Sequence, residues 1–239
     1  MLGALLFYAV AALVISLSLP VTLLVRAVTL PFDPLRRAPS ATLRVLGRLI
    51  VRAVPFWRVR IEGAFPRGTF VVVPNHQSMA DALAVACLPG EVKWMGKESA
   101  FRFPWLGWAF HLAGYVPVLR GDRQSGSAAL ARMRRYLDAG LPVGLFPEGT
   151  RTRDGALQPF RAGPFKLAID AGVPVVPVAI DGAWRAMPAD QPWIRPARIR
   201  VSILPPIGTA GLAVDDVDRL REETRRRIAA ALDATRTVP

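Results

Sequence analysis

His76 and Asp81 stand five residues apart, at the point where an apolar segment ends and a helix is predicted to begin. A carboxylate can accept the proton of one imidazole nitrogen, which fixes the tautomer and leaves the other nitrogen free as a general base near neutral pH. The pair is a two-member version of the catalytic triad, so the attacking nucleophile must come from the substrate. The alternative is that His76 is an ordinary loop histidine and that Asp81 caps a helix.

The segments around this pair alternate between strand and helix patterns. Residues 69–74, with three consecutive valines, are predicted to form a buried strand, and residues 81–88 a short helix. Further strands are predicted over residues 57–62, 115–119, 141–146, 173–180 and 197–204, and further helices over residues 125–139, 164–171 and 214–235 and, within the aromatic-rich segment 101–114, after Pro104. Such alternation predicts an α/β fold, with a mixed, largely parallel sheet covered by helices. His76 then lies beyond the carboxyl end of a core strand, where the ligands of open α/β sheets collect.

Two more segments place functional groups at the carboxyl ends of predicted strands. One is Phe-Pro-Glu-Gly-Thr-Arg, whose last residues, Gly149, Thr150 and Arg151, offer a flexible backbone, a hydroxyl and a guanidinium. This combination suits a phosphate, which arginine can bind with two hydrogen bonds. In the other segment, Arg120 and Arg123 would add positive charge at the same edge of the sheet. The alternatives are a turn that contains an arginine and two solvated loop arginines.

The first part of the chain is predicted to associate with a membrane. Residues 2–25 contain no charged residue and are long enough to cross the core of a bilayer, which takes about 20 residues. Pro20 interrupts the segment, which either spans the bilayer or lies in one leaflet. A removable signal peptide is disfavoured because no charge precedes the segment. The positive-inside rule places the rest of the chain in the cytoplasm, because three arginines follow the segment, namely Arg26, Arg36 and Arg37.

A second helix is predicted over residues 40–54, with Ser40 as its N-cap. Its arginines recur every four residues and form one stripe, made of Arg44, Arg48 and Arg52. Beside a hydrophobic segment, such a basic amphipathic helix is interpreted as bound to the membrane surface, and the alternative is a solvated arginine face on an ordinary packed helix. Residues 1–56 are therefore predicted to form N-terminal membrane-associated helices, and residues 57–239 the α/β domain.

Charge and cysteine content limit the classes of partner and cofactor. The net charge of +13 indicates an anionic partner, which could be nucleic acid, an acidic lipid surface or a phosphorylated substrate. The basic residues form no recognisable nucleic-acid-binding module, so no nucleic acid is expected. Cys87 is the only cysteine, which excludes an internal disulfide and most cysteine metal sites, and no zinc, haem or iron–sulfur spacing is present.

Four sequence blocks, taken in order, resemble the glycerolipid acyltransferase family, which is typified by 1-acylglycerol-3-phosphate acyltransferases. They are residues 75–81 (Asn-His-x-x-x-x-Asp), residues 114–120 (a glycine followed six residues later by arginine), residues 146–151 (Phe-Pro-Glu-Gly-Thr-Arg) and the apolar, proline-containing residues 173–180. The resemblance covers residues 61–182, and the spacing of the blocks agrees as well as their residues. One departure is Leu119, where many members of the family have an acidic residue before the arginine.

This resemblance implies transfer of a fatty acyl group from an acyl-CoA or acyl-ACP thioester to the sn-2 hydroxyl of 1-acylglycerol 3-phosphate, which gives phosphatidic acid. It also implies that His76 is the general base and that Asp81 orients it. The residues that it assigns to binding of the acceptor are Arg120, Glu148, Gly149, Thr150 and Arg151. Glu148 is expected to organise the loop, by pairing with an arginine, because a carboxylate repels a phosphate.

The resemblance also implies the partners and the location of the protein. No cofactor and no metal are expected; the partners are a lysophospholipid acceptor, acyl-CoA or acyl carrier protein as the donor, and an anionic membrane surface. The expected location is the cell membrane, with the catalytic domain on its cytoplasmic side. The alternatives are an acyltransferase for another lysolipid, such as lyso-ornithine lipid, or for glycerol 3-phosphate, and a non-catalytic membrane lipid-binding protein. The acyl-chain length, the donor carrier, the acceptor head group and the oligomeric state stay open.

Overall fold

In the computed structural model, which describes residues 2–152, 155–188 and 194–236, a seven-stranded sheet carries helices on both faces. The strands are β1 (Trp57–Glu62), β2 (Val71–Pro74), β3 (Lys93–Lys97), β4 (Val116–Val118), β5 (Val143–Gly144), β6 (Val175–Asp181) and β7 (Ala197–Ile203). The helices are α1 (Leu2–Thr29), α2 (Arg37–Arg52), α3 (Ala80–Ala86), α4 (Glu98–Phe101), α5 (Leu106–Leu112), α6 (Arg123–Asp138), α7 (Gly163–Ala171), α8 (Ala183–Ala186) and α9 (Val217–Arg236). The predicted α/β fold with a mixed, largely parallel sheet is thereby confirmed.

The order of the strands determines which segments meet at one edge of the sheet. The order is β1-β7-β6-β2-β5-β3-β4, and the five strands from β6 to β4 are parallel to one another. β7 pairs antiparallel with β6, and β1 pairs parallel with β7. The carboxyl ends of the five parallel strands therefore lie at the same edge as the beginnings of β1 and β7.

The two faces of the sheet pack into separate hydrophobic cores. Helices α1, α2, α3 and α8 cover one face, and α6, α7 and α9 cover the other. In β2, Val72 packs into the first core, whereas Val71 and Val73 pack into the second, and none of these valines has exposed surface. Burial of such a side chain stabilises the fold by roughly 1.5–3 kcal/mol, which explains why this run of valines forms a central strand.

Helix α1 lies along the protein rather than apart from it. Pro20 does not end the helix, which continues to Thr29. One stripe of the helix is buried against the rest of the chain, and it consists of Phe7, Val14, Ser18 and Thr22. The Phe7 ring packs against the Trp57 ring at the start of β1, with 5.6 Å between the ring centroids. The opposite side exposes a row of apolar side chains, which includes Leu5, Leu13, Leu17 and Leu24.

The N-terminus of α2 differs from the prediction. Its N-terminus is not capped by Ser40, which lies inside the helix; the Asp33 carboxylate instead accepts hydrogen bonds from the backbone amides of Arg37 and Ala38. An acceptor four residues upstream can serve as a cap because the turn before the helix brings it back to the first amides.

The basic stripe of α2 is directed into the protein, so its interpretation as a membrane-binding surface is wrong for two of its arginines. Arg44 forms an ion pair with Glu91, just before β3. Arg48 donates hydrogen bonds to the carbonyl oxygens of Ala86 and Leu88, at the end of α3, at 3.0 and 2.8 Å. Arg48 therefore satisfies the last carbonyls of a neighbouring helix, where positive charge is favourable.

A buried lysine attaches the N-terminal helices to the sheet. Lys93 has no exposed surface, and its Nζ atom donates to the carbonyl oxygen of Arg36 at 2.8 Å and to that of Ala113 at 2.9 Å. These carbonyls belong to the turn between α1 and α2 and to the end of α5. Burial lowers the pKa of Lys93 to about 7, against the opposing attraction of Asp33.

The predicted division of the chain between residues 56 and 57 stays a prediction.

The segment that connects β6 to β7 contains the short helix α8, whose Ala183 and Ala186 are fully buried. Residues 189–193 of this loop lie outside the described part of the chain. The Trp57 indole donates a hydrogen bond to the carbonyl oxygen of Arg195 at 2.8 Å, which holds the end of the loop near the start of β1.

Candidate active site

Asn75 fixes the backbone at the point where the chain leaves β2 and continues to His76. The Asn75 side chain is fully buried; its Nδ2 donates to the carbonyl oxygen of Ile180 at 2.9 Å, and its Oδ1 accepts from the amide of Ile180 at 2.7 Å. These two bonds continue the pairing of β2 with β6 by one residue, through a side chain instead of the backbone. The histidine therefore projects from a rigid edge of the sheet.

Asp81 lies in the first turn of α3 and holds the imidazole of His76. Its Oδ2 lies 2.8 Å from His76 Nδ1, and the same oxygen accepts from the backbone amides of Gln77 and Ser78 at 2.6 and 2.7 Å. Asp81 has no exposed surface, so these donors are what compensates its loss of hydration. Hydrogen bonding at Nδ1 places the proton there and leaves Nε2 as the acceptor of a substrate proton.

An aromatic side chain limits the motion of the imidazole. The Phe146 ring lies against the His76 ring with 4.3 Å between centroids and 33° between planes. Trp94 extends this wall, with its ring centroid 5.7 Å from that of Phe146. Only 12% of the His76 side chain is exposed.

Glu148 connects the histidine loop to the loop after β5. Its Oε1 accepts from the backbone amide of His76 at 2.6 Å, and its Oε2 accepts from that of Gln158 at 3.0 Å. The partners of Glu148 in these bonds are backbone amides, not the arginine side chain that was expected. Burial raises the pKa of Glu148 to about 7, although both hydrogen bonds act in the opposite direction. Both oxygens are thus used to hold the two loops together.

Gly149 adopts a conformation that other residues rarely adopt, with φ of 67°. A Cβ atom at this position would lie 2.5 Å from Nε of Arg161, so the guanidinium of Arg161 lies directly against the loop. The backbone amide of Arg161 also donates to the carbonyl oxygen of Pro147 at 2.9 Å. Sequence reasoning missed Arg161, and the available signal was its place at the end of the loop that begins with Arg151.

Three arginines converge beside the histidine. The pKa of Arg120 is lowered by partial burial and by the positive charges of Arg161 and Arg151, so both of these guanidinium groups lie near that of Arg120. None of the three forms an ion pair within residues 2–152, 155–188 and 194–236. Such a group favours an anionic ligand, and a phosphate matches arginine in both charge and hydrogen-bond geometry.

The structure brings the predicted residues together at the carboxyl edge of the sheet. The backbone amide of Thr152 donates to the carbonyl oxygen of His76 at 3.2 Å, which joins the arginine loop to the histidine loop. Thr150, two residues before Thr152, is exposed. Arg123 is the first residue of α6. In the described part of the chain, no three His, Cys, Asp or Glu side chains are placed to hold a metal ion. The His76–Asp81 pair and the arginines thus lie on connected loops.

Comparison with known proteins identifies relatives of this chain. A family model described as Acyltransferase matches residues 57–181. The 1-acyl-sn-glycerol-3-phosphate acyltransferase of Chlamydomonas reinhardtii is 35% identical over 238 residues, which cover 96% of this chain and 69% of the algal protein. The chloroplastic 1-acyl-sn-glycerol-3-phosphate acyltransferase LPAT1 of Arabidopsis thaliana is 35% identical over 207 residues, which cover 84% of this chain but only 56% of that protein.

A solved structure supports the fold. The crystal structure of the 1-acyl-sn-glycerophosphate acyltransferase PlsC from Thermotoga maritima superposes with a TM-score of 0.81 at 24% sequence identity. The match covers 99% of this chain and 95% of the other. The N-terminal helices are therefore part of the shared architecture.

Proposed function

Because the chain belongs to the acyltransferase family, we propose that it moves a fatty acyl group from a thioester to the sn-2 hydroxyl of 1-acylglycerol 3-phosphate, which gives phosphatidic acid. The thioester is acyl-CoA or acyl-ACP. The observation that carries this proposal is the 2.8 Å contact between His76 Nδ1 and Asp81 Oδ2, together with the arginines Arg120, Arg151 and Arg161 on the neighbouring loops. The names of the relatives, which are acyltransferases for this phosphorylated alcohol, support the same acceptor.

The reaction follows from the position of the imidazole. His76 Nε2 takes the proton of the acceptor hydroxyl while the hydroxyl oxygen attacks the thioester carbonyl. The tetrahedral intermediate then collapses, the carbon–sulfur bond breaks, and the thiolate leaves, with or without the proton that His76 has taken. Asp81 stabilises the imidazolium between these steps, and general-base assistance of this kind contributes about 10²–10⁴-fold to the rate.

The arginines would bind the phosphate of the acceptor. Arg151 and Arg161 project from one loop, and Arg120 follows β4, so a phosphate between them would be contacted from two sides. It would also relieve the mutual repulsion that lowers the pKa of Arg120. Glu148 contributes indirectly, because it fixes the backbone of the loop that carries Arg151.

Membrane association is the second part of the proposal. The segment Leu5–Thr29 of α1 is long and apolar enough to cross a bilayer. However, its buried stripe extends from Phe7 to Thr22, which is about 23 Å of helix at about 1.5 Å per residue. A helix attached to the protein over this length cannot leave it to cross the bilayer, so α1 would lie in one leaflet with its leucines in lipid. The cytoplasmic side remains the proposed location of the catalytic domain.

The test measures free thiol released from a long-chain acyl-CoA by the purified chain in lipid–detergent micelles, with and without lysophosphatidic acid. Acceptor-dependent release that is lost in His76→Ala supports the proposal, provided that the variant still folds and binds micelles. Thiol release only with lyso-ornithine lipid or with glycerol 3-phosphate would identify that compound as the acceptor in place of 1-acylglycerol 3-phosphate. No release with any acyl-CoA or acyl-ACP donor would favour the non-catalytic lipid-binding alternative.

A further inference from the structure

Four arginines form a regular array on the pair of strands at one side of the sheet. β1 and β7 pair in parallel, with Arg58 opposite Arg198 and Arg60 opposite Arg200. Because side chains two residues apart lie on the same face of a strand, all four project from one face. Like charges directly opposite each other destabilise a strand pair, so this array costs stability unless an anion is bound.

Only half of the array is neutralised within the described part of the chain. Glu62 Oε1 lies 3.0 Å from Nε of Arg60 and 3.8 Å from Nε of Arg200. No ion pair within that part involves Arg58 or Arg198, the pair at the beginning of the two strands. Both side chains are exposed, and an external anion can reach them.

Arg58 and Arg198 line a shallow cavity together with apolar groups. The cavity has a volume of 280 Å³ and is lined by Phe56, Arg58, Pro196, Ala197 and Arg198. An aromatic ring and a proline provide a surface on which a flat ring can stack, and the two guanidinium groups provide donors for phosphate oxygens. This combination suits a phosphorylated nucleotide better than a simple phosphate.

The topology places the cavity at the same edge of the sheet as the catalytic histidine. β1 and β7 begin where β2 ends, because both run antiparallel to it through the β6–β7 pairing. Three strand spacings separate β2 from β1, which is about 15 Å at about 4.8 Å per spacing. The acceptor site lies on the other side of His76, since Arg151 follows β5 and Arg120 follows β4.

The two arginines of the cavity project away from the face of the sheet that α1 covers. Trp57 packs against Phe7 of α1 on one face of the sheet, and Arg58, as the next residue of the strand, points to the opposite face. A lipid head group would approach from the side of α1, whereas a water-soluble molecule can approach the arginine face. The occupant is therefore expected to be soluble.

We propose that the cavity between Arg58 and Arg198 binds the phosphorylated adenosine end of coenzyme A, while the pantetheine arm extends along the edge of the sheet to present the thioester to His76. The two substrates thus approach the histidine from opposite sides, the donor from β1 and β7 and the acceptor from β5 and β4. This inference rests on the proposed acyl transfer and identifies coenzyme A as its donor carrier.

The experiment compares the wild-type chain with Arg58→Ala/Arg198→Ala and with Arg219→Ala as the control. Arg219 lies on α9 and is 71% exposed, so its removal reduces the net charge without touching the cavity. The double variant is expected to raise the KM for acyl-CoA at least about tenfold, because it loses two charge-assisted hydrogen bonds, and to leave the KM for lysophosphatidic acid unchanged. It should also lose the preference of the wild type for acyl-CoA over the same thioester of 3′-dephospho-CoA.

A second measurement does not depend on turnover of a modified donor. Adenosine 3′,5′-bisphosphate should compete with acyl-CoA in the wild type and in Arg219→Ala, but not in the double variant. An unchanged KM for acyl-CoA in the double variant, or a wild type that uses only acyl-ACP, would overturn the inference and leave the proposed acyl transfer intact. A wild type that transfers no acyl group from any donor would overturn both.

Discussion

Glu148 Oε1 accepts a hydrogen bond of 2.6 Å from the backbone amide of His76, so the loops that carry the proposed base and the proposed phosphate site are joined by one buried carboxylate. The same carboxylate accepts from Gln158 at the far end of the arginine loop. The position of the base relative to the phosphate site therefore depends on a residue that need not touch either substrate.

This arrangement makes stability depend on the charge of Glu148. Its pKa is raised from 4.5 to about 7 in the folded chain, so between these pH values the folded chain keeps a proton that the unfolded chain has released. Stability must then fall as pH rises through this interval, by about 3 kcal/mol at about 1.4 kcal/mol per pKa unit. Chemical unfolding in micelles at pH 4.5, 6 and 7.5 should show this loss in the wild type and not in Glu148→Gln. Parallel curves for the two proteins would contradict it.

Asp81→Asn tests whether the carboxylate does more than hold the imidazole in place. An asparagine can still accept the backbone amides of Gln77 and Ser78, but it carries no charge to stabilise an imidazolium. We expect kcat to fall by about 10²–10⁴-fold, with little change in either KM. Steady-state kinetics with both substrates varied would separate these constants. A large rise in KM with normal kcat would instead place Asp81 in substrate binding.

Arg151→Ala and Arg161→Ala test the anion site. Each variant removes charge-assisted hydrogen bonds to the acceptor phosphate, so the KM for lysophosphatidic acid should rise about 10–100-fold while that for the donor changes little. Arg219→Ala is a suitable control because Arg219 is 71% exposed on α9, where it pairs with Asp216. Equal effects on both KM values would show that the mutated arginine does not bind the phosphate of the acceptor.

Gly149→Ala tests the shape of the loop. A side chain at φ of 67° costs about 1–2 kcal/mol, and its Cβ would displace the Arg161 guanidinium. We expect a lower unfolding midpoint together with a higher KM for the acceptor. Gly126→Ala in α6 is the matched control, since its Cβ meets open space and alanine favours a helix, so this variant should be slightly more stable than the wild type. An acceptor KM that did not change in Gly149→Ala would show that Arg161 does not need its present position.

Lys93→Met tests the attachment of the N-terminal helices. The variant leaves the carbonyl oxygens of Arg36 and Ala113 without their donor, which costs about 1–3 kcal/mol for each buried group. Because the pKa of Lys93 is lowered to about 7, the folded chain loses its proton before the unfolded chain does, and the wild type should gain stability from pH 7 to pH 9. Chemical unfolding at both pH values, with the variant as reference, measures this gain. If the difference in unfolding free energy between the wild type and the variant were the same at both pH values, the buried amine would not titrate in this range.

The sequence was sufficient to predict the features that repeat along the chain or follow one another directly. The valine run of β2, the histidine after it and the aspartate in the next helix are local, and the alternation of strands with helices indicated the sheet. The features that it could not predict arise from contacts between distant segments. Arg161 reaches Gly149 by folding back over a loop, and Arg48 points inward because the end of α3 lies beside α2. Serine is a common N-cap residue, but α2 begins before Ser40, and the turn before the helix places the Asp33 carboxylate at its first amides.

The way in which α1 is attached has a practical consequence. Phe7 and Val14 belong to the same hydrophobic core as Trp57, so the helix proposed to bind the membrane is also part of the core of the α/β fold. Deleting it would expose that core and yield an aggregating fragment rather than a soluble catalytic domain. A detergent-free form would have to keep the helix and replace only its outward leucines, Leu5, Leu13, Leu17 and Leu24, by polar residues.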